Sequence, residues 1–178
     1  MRLSHHLPNA VSLSRLFLAP AAVWLILSEH WQMAFWVFAI AGISDAVDGI
    51  LARLLKAQSL LGSWLDPLAD KVLVVGIYLS LAAKDMLPLW LVVLVALRDV
   101  VIVVYAIAEI FVGRLPSSPM LISKVNTLAQ IILAMVVLGR LGFGWGDDRV
   151  TEAMVLVVAL TTTASGAAYL IAAEVRRV

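Results

Sequence analysis

The chain has no cysteine among its 178 residues, which excludes disulfides and thiol chemistry. Charge is scarce as well. Only 14% of residues are Asp, Glu, Lys or Arg, and the net formal charge is +1, so there is no basic footprint for nucleic acid. The opening, MRLSHHLPNAVS, is too polar for a secretory h-region and too short and Arg-poor for a transit peptide. That favours a chain starting in its working form, in a bacterial inner membrane. What fills the sequence instead is apolar. Hydrophobic residues make up 63%, with a mean hydropathy of +1.02, against roughly 45 to 50% apolar residues in soluble domains. This composition predicts an integral membrane protein whose single domain covers residues 1–178.

A helical span takes about 20 residues, and apolar runs of that order cover 9–27, 31–55, 62–83, 89–112, 120–141 and 150–173. They predict an all-α bundle of six transmembrane helices. An even number of spans puts both termini on one side. Arg2, Arg53, Lys56, Arg114, Arg176 and Arg177 fall on that side; Lys84, Arg140 and Arg149 fall on the other, mixed with Asp85, Asp147 and Asp148. The excess of cations makes the terminal side cytoplasmic, and a polar cavity is expected to open there. Trp31, Trp36, Trp90 and Trp145 suit the interfacial aromatic belt. His5 and His6 read as interfacial residues.

One stretch breaks the apolar pattern. DAVDGILARLLKAQSLLGSWLDPLAD, residues 45–70, carries Asp45 and Asp48 three apart and Asp66 and Asp70 four apart. On helices each pair shares a face. A turn near residues 56–59 brings the pairs level, so two antiparallel helices present four carboxylates to one point. Each ionised Asp at membrane depth costs roughly 2.5 to 3.5 kcal/mol, so cations are required. Two divalent ions would cancel four negative charges, and an all-oxygen donor set selects Mg²⁺ or Mn²⁺. The plainer alternative makes these acids solvated helix-end residues or partners of Arg53 and Lys71. Two metals about 3.5 to 4 Å apart can clamp an in-line displacement at phosphorus. Gly49 leaves room beside Asp48 for a phosphate or base, and Arg53 offers a planar fork to a phosphate oxygen. A cation transporter using the same cluster is the reading from another class; it accounts for neither Gly49 nor Arg53, and the chain lacks an inverted repeat.

The spacing DxxDGxxAR, eight residues, GxxxDxxxD resembles the signature of the CDP-alcohol phosphatidyltransferase family. All eight fixed positions are filled, by Asp45, Asp48, Gly49, Ala52, Arg53, Gly62, Asp66 and Asp70. The resemblance implies that Asp45, Asp48, Asp66 and Asp70 hold two divalent ions, Mg or Mn, with Asp70 also the general base. It implies that Gly49, Arg53 and Ser59 contact the cytidine diphosphate part of CDP-diacylglycerol, with Asn9 and Ser12 on the first helix as further contacts; many relatives have Thr where Ser12 stands. It also implies a homodimer, for which the small residues around Gly166 form one candidate contact. A carboxylate beside metals has a lowered pKa and is a weak base, so deprotonation also leans on the metal acidifying the alcohol.

The acceptor alcohol depends on a second polar group. Arg98 and Asp99 lie in the fourth span, and SKVNTLAQ, residues 123–130, opens the fifth. The simpler reading is charge compensation between Arg98 and Asp99, with Ser123 capping and Lys124 snorkelling. The functional one has Arg98 and Lys124 bind an anionic group on the acceptor, in the cavity that holds the metals. Arg15 shares a helix face with Asn9 and Ser12 and joins that set. Within the family, LPNAVSLSRLFLAP, LGSWLDPLADKVL, SKVNTLAQ and LTTTASG are similar to the CMP-forming cardiolipin synthase branch, which implies phosphatidylglycerol as acceptor. Phosphatidylglycerophosphate synthases, which take glycerol 3-phosphate, tend to carry a second Lys where Asn126 stands. One cation fewer suits a monoanionic diester.

Overall fold

The computed structural model describes residues 18–55, 60–111 and 121–175, and the side chains within them other than those of 45–55, 60–70, 110, 173 and 175. Six helices fill these residues and no strand occurs among them. They are α1 (Leu18–Leu27), α2 (Trp31–Leu55), α3 (Leu60–Ala83), α4 (Leu89–Phe111), α5 (Leu121–Phe143) and α6 (Asp148–Val175). The sequence reading starts α3 at 62 and α6 at 150; α3 is already helical at Leu60, and α6 begins two residues earlier, at Asp148. Asp148 opens α6 because a carboxylate in a helix's first turn complements the positive end of its dipole. Among the described residues, three segments, Leu89–Glu109, Leu121–Phe143 and Asp148–Ala172, are long and apolar enough to cross a membrane, and Leu18–Leu27, Trp31–Ser44 and Lys71–Ala83 are shorter apolar helical segments.

α5 occupies the centre, packed against α2, α3 and α6, while α4 packs against α3 and α6. Its inward stripe is Asn126, Ala129, Gln130, Leu133, Ala134, Val137 and Leu138, the three-and-four spacing of one helical face. Polar and small residues dominate the deep half of that stripe. The outer surface carries Val125, Leu128 and Ile132 on α5, and Leu97, Val100, Val104, Ile107 and Phe111 on α4. Large aliphatic residues outside, with polar and small side chains set among the apolar ones inside, suit a bundle solvated by lipid, where close packing and interhelical hydrogen bonds replace the hydrophobic drive.

One end of the bundle is closed by three short turns. At the first two the chain leaves α1 and α3 through Schellman caps. His30 N–H donates to Leu25 O at 2.8 Å and Glu29 N–H to Ile26 O at 3.0 Å; Met86 N–H donates to Leu81 O at 2.9 Å and Asp85 N–H to Ala82 O at 3.0 Å. Glu29 and Asp85 take the left-handed position, with φ of 62° and 59°, which is usually glycine's. The caps are joined: Lys84 Nζ donates to Glu29 Oε1 at 2.7 Å. Lys84 holds the Glu29 carboxyl below its usual range, by this hydrogen bond and by its charge. A lowered folded-state value adds stability above the unfolded value and loses it as pH falls through the lowered one. Glu29→Gln should therefore depress the melting temperature at neutral pH and leave it unchanged in acid below the carboxylate range, the neutral effect being small because the pair is exposed.

The third turn follows α5, with Gly144 at φ 71° and Gly146 at φ 86°, and an Arg140–Asp148 ion pair spans it. Phe35, Phe143 and Trp145 pack together there, Phe143 and Trp145 stacked with centroids 4.6 Å apart. Gln32 Nε2 donates to Gly142 O at 2.8 Å, and the backbones of α2 and α5 approach closely there. A Cβ on Gly142 would lie 3.0 Å from Gln32 N and 3.1 Å from Gln32 Cα. Gly142→Ala should cost about 1 to 3 kcal/mol, because backbone on both sides leaves nothing to yield; thermal unfolding in detergent reads this.

Candidate functional site

α2 carries Asp45, Asp48, Gly49 and Arg53, and α3 carries Asp66 and Asp70. At 1.5 Å per residue, Asp45 lies about 21 Å beyond the start of α2 and Asp70 about 20 Å before the end of α3. Those two helix ends belong to the turn-closed end of the bundle. The motif residues therefore begin at matching depth, far from the three turns. The side chains of Asp45, Asp48, Gly49, Arg53, Asp66 and Asp70 lie outside the described residues, as do Asn9, Ser12, Arg15 and Ser59 altogether. Among the described residues no three carboxylates or histidines converge.

Beside the motif lies a cavity of about 170 Å³. Phe38, Ala41 and Gly42 of α2, Lys71, Leu73, Val74 and Val75 of α3, Arg98 and Asp99 of α4, and Thr127, Gln130 and Ile131 of α5 line it. Ala41 is one helical turn before Asp45, and Lys71 directly follows Asp70. The cavity lining thus comes within one helical turn of the carboxylate stretch on both helices. Gly42 leaves open space at its Cβ position, so a larger residue there would fill the cavity.

Arg98 is the anchor of the polar wall, with only 6% of its side chain exposed. Nη1 donates to Asp99 Oδ1 at 2.7 Å, Nη2 to Ser123 Oγ at 2.5 Å and to Ser165 Oγ at 2.8 Å, and Nε to Ser165 Oγ at 3.1 Å. Four bonds leave a guanidinium one of its five N–H groups. Arg98 accordingly ties α4 to α5 and α6 while keeping a single donor in hand. Lys71 Nζ lies 3.6 Å from the same Asp99 oxygen, and its side chain is 39% exposed. Asp99 therefore stands between two cations, one held fast and one loosely.

The other acceptor candidates fall differently. Lys124 is exposed and is not part of the cavity lining; the structure brings Arg98 to Lys71 and not to Lys124. Asn126 is fully buried between α5 and α6, its Oδ1 accepting from Thr162 at 2.8 Å and from Thr161 at 2.9 Å. The Nδ2 group of Asn126 and the Nε2 group of Gln130 are buried with no partner among the described residues. Gln130 lines the cavity, and its main-chain oxygen accepts from Tyr78 Oη at 2.9 Å. Sequence reasoning treated Lys71 only as a countercharge and missed Gln130, Ser165 and Thr162. Polar side chains inside apolar spans were the available signal, since each needs a partner in lipid.

These features define a helical integral membrane protein with a polar cavity beside a paired-aspartate motif. The family model of CDP-alcohol phosphatidyltransferase matches residues 5–165, and the chain belongs to that family. It is 38% identical over 184 residues to a CMP-forming cardiolipin synthase of Rattus norvegicus and 37% identical over the same length to one of Homo sapiens. Each alignment covers 92% of this chain and 60% of the relative. A chloroplastic CDP-diacylglycerol–glycerol-3-phosphate 3-phosphatidyltransferase of Oryza sativa is 36% identical, over 92% of this chain and 56% of its own length. The chain thus spans about three fifths of the relatives it matches. Family membership gives the transporter reading no support.

Proposed function

We propose that the protein transfers a phosphatidyl group from CDP-diacylglycerol to phosphatidylglycerol, yielding cardiolipin and CMP. The observation that carries this reading is the cavity beside the paired-aspartate motif, with its one firmly held arginine and one loosely held lysine, in a chain similar along 92% of its length to CMP-forming cardiolipin synthases. Asp45, Asp48, Asp66 and Asp70 offer an all-oxygen donor set that fits Mg²⁺ or Mn²⁺. Two such ions, when bound, supply charge neutralisation at the diphosphate and acidify the attacking alcohol.

The chain's own residues do the rest. Gly49, Arg53 and Ser59 hold the cytidine diphosphate part, assisted by Asn9 and Ser12 from the first helix. The acceptor's anionic diester enters the cavity against Arg98 and Lys71, with Lys124 and Arg15 as further cations for it and Asn126 fixing α5 against α6. Asp70 takes the proton of the primary hydroxyl as its oxygen bonds to the lipid-side phosphorus. The bond from that phosphorus to the bridging oxygen breaks, and CMP leaves with the oxygen. The site faces the inner leaflet of a bacterial cytoplasmic membrane, termini inward, in a homodimer.

Glycerol 3-phosphate is the second reading for the acceptor, favoured by the rice plastid relative, whose name gives that substrate. Purified protein supplied with labelled CDP-diacylglycerol and each alcohol separately decides between them. Labelled cardiolipin with phosphatidylglycerol is expected; labelled phosphatidylglycerophosphate with glycerol 3-phosphate, and nothing with the lipid acceptor, would transfer the assignment.

A further inference from the structure

Three charged side chains line the cavity, and their geometry is unequal. Arg98 Nη1 and Lys71 Nζ converge on a single carboxylate oxygen of Asp99, at 2.7 Å and 3.6 Å. Two cations and one carboxylate leave the described lining one net positive charge. That matches a ligand bearing one negative charge and falls short of one bearing two. We propose that Asp99 is a specificity-determining residue, which cancels one cation and so selects a monoanionic phosphodiester acceptor over a dianionic phosphomonoester. The inference rests on the acceptor reading above and deepens it.

The physical basis is a difference, so other charges near the site drop out of it. Removing the Asp99 charge raises the cavity potential by one unit whatever surrounds it, and a dianion gains twice what a monoanion gains. Asp99 is 17% exposed on its side chain, where neighbouring charges are only partly screened. Arg98 keeps its serine bonds to α5 and α6 without Asp99, so the guanidinium stays in place. Lys71 loses the carboxylate it pairs with among the described residues.

The test compares kcat/KM for phosphatidylglycerol and for glycerol 3-phosphate in wild type, Asp99→Asn, Asp99→Glu and Lys71→Met, with CDP-diacylglycerol saturating. Asp99→Asn should shift the ratio toward glycerol 3-phosphate by roughly tenfold or more. Asp99→Glu, which keeps the charge, should hold the wild-type ratio. Lys71→Met removes a half-exposed cation at little risk to folding, and should penalise glycerol 3-phosphate more than phosphatidylglycerol. An unchanged ratio in both Asp99→Asn and Lys71→Met overturns the inference while leaving the transferase reading intact, as does loss of the ratio in Asp99→Glu. Should Asp99→Asn fail to fold, an unshifted ratio in Lys71→Met alone overturns it. Absence of CMP release by the wild type with either acceptor overturns the reading beneath it.

Discussion

Asp70→Asn should lower CMP release by about 10²- to 10⁴-fold, the range for loss of a positioned general base, while the protein stays folded. Asparagine is nearly the same size as aspartate and lies on the same helix, so packing is conserved. What disappears is a proton acceptor and one negative charge. Single-turnover CMP release, with circular dichroism and size-exclusion profiles for folding, separates the two effects. Asp66→Asn removes a ligand charge without removing the base, so its deficit should recede at high Mn²⁺ concentration, whereas that of Asp70→Asn should persist.

Arg98→Ala should be strongly destabilising. Arg98 makes three hydrogen bonds that join α4 to α5 and α6, and a fourth to Asp99 on its own helix. Interhelical hydrogen bonds in membranes average about 0.6 kcal/mol each, which gives nearly 2 kcal/mol for the three. Leaving Asp99 with only Lys71 at 3.6 Å adds part of the penalty for an uncompensated buried charge, which reaches about 3 to 5 kcal/mol when no partner remains. A total near 3 kcal/mol follows. Arg98→Lys keeps the charge but lacks the planar fork, and should recover less than half of it. Equilibrium unfolding in mixed micelles measures both. A loss below about 1 kcal/mol for Arg98→Ala would mean the serine contacts are not held in the folded protein.

Helix positions were largely legible in the sequence because span length and turn residues set them. The fourth span starts at Leu89 as expected, and α5 ends at Phe143, two residues beyond the reading. Inward faces were not legible, because in lipid Leu on the outside and Leu on the inside cost alike, so hydropathy carries no direction. Helix α5 shows this: its buried stripe mixes Asn126 and Gln130 with Ala129, Leu133, Ala134, Val137 and Leu138, while Val125, Leu128 and Ile132, just as apolar, face outward. The same blindness affected the acceptor cations. Arg98 and Lys124 are both basic residues within apolar spans, yet one is buried against Ser123 and Ser165 and the other is exposed. Lys71 went unassigned because its neighbour Asp70 accounted for it locally, while its ion-pair partner, Asp99, is far away in sequence on α4. Distant pairings of this kind depend on how helices stack, which spacing within one segment does not encode.

The most direct test of the account is metal dependence of the whole reaction in a defined system. Purified protein in mixed micelles, stripped of divalent ions by a chelator, is given CDP-diacylglycerol and phosphatidylglycerol with no ion gradient present. No CMP should form until Mg²⁺ or Mn²⁺ is restored, and then one cardiolipin should form for each CMP. Sustained turnover in the chelator, or CMP formed without cardiolipin, would contradict it.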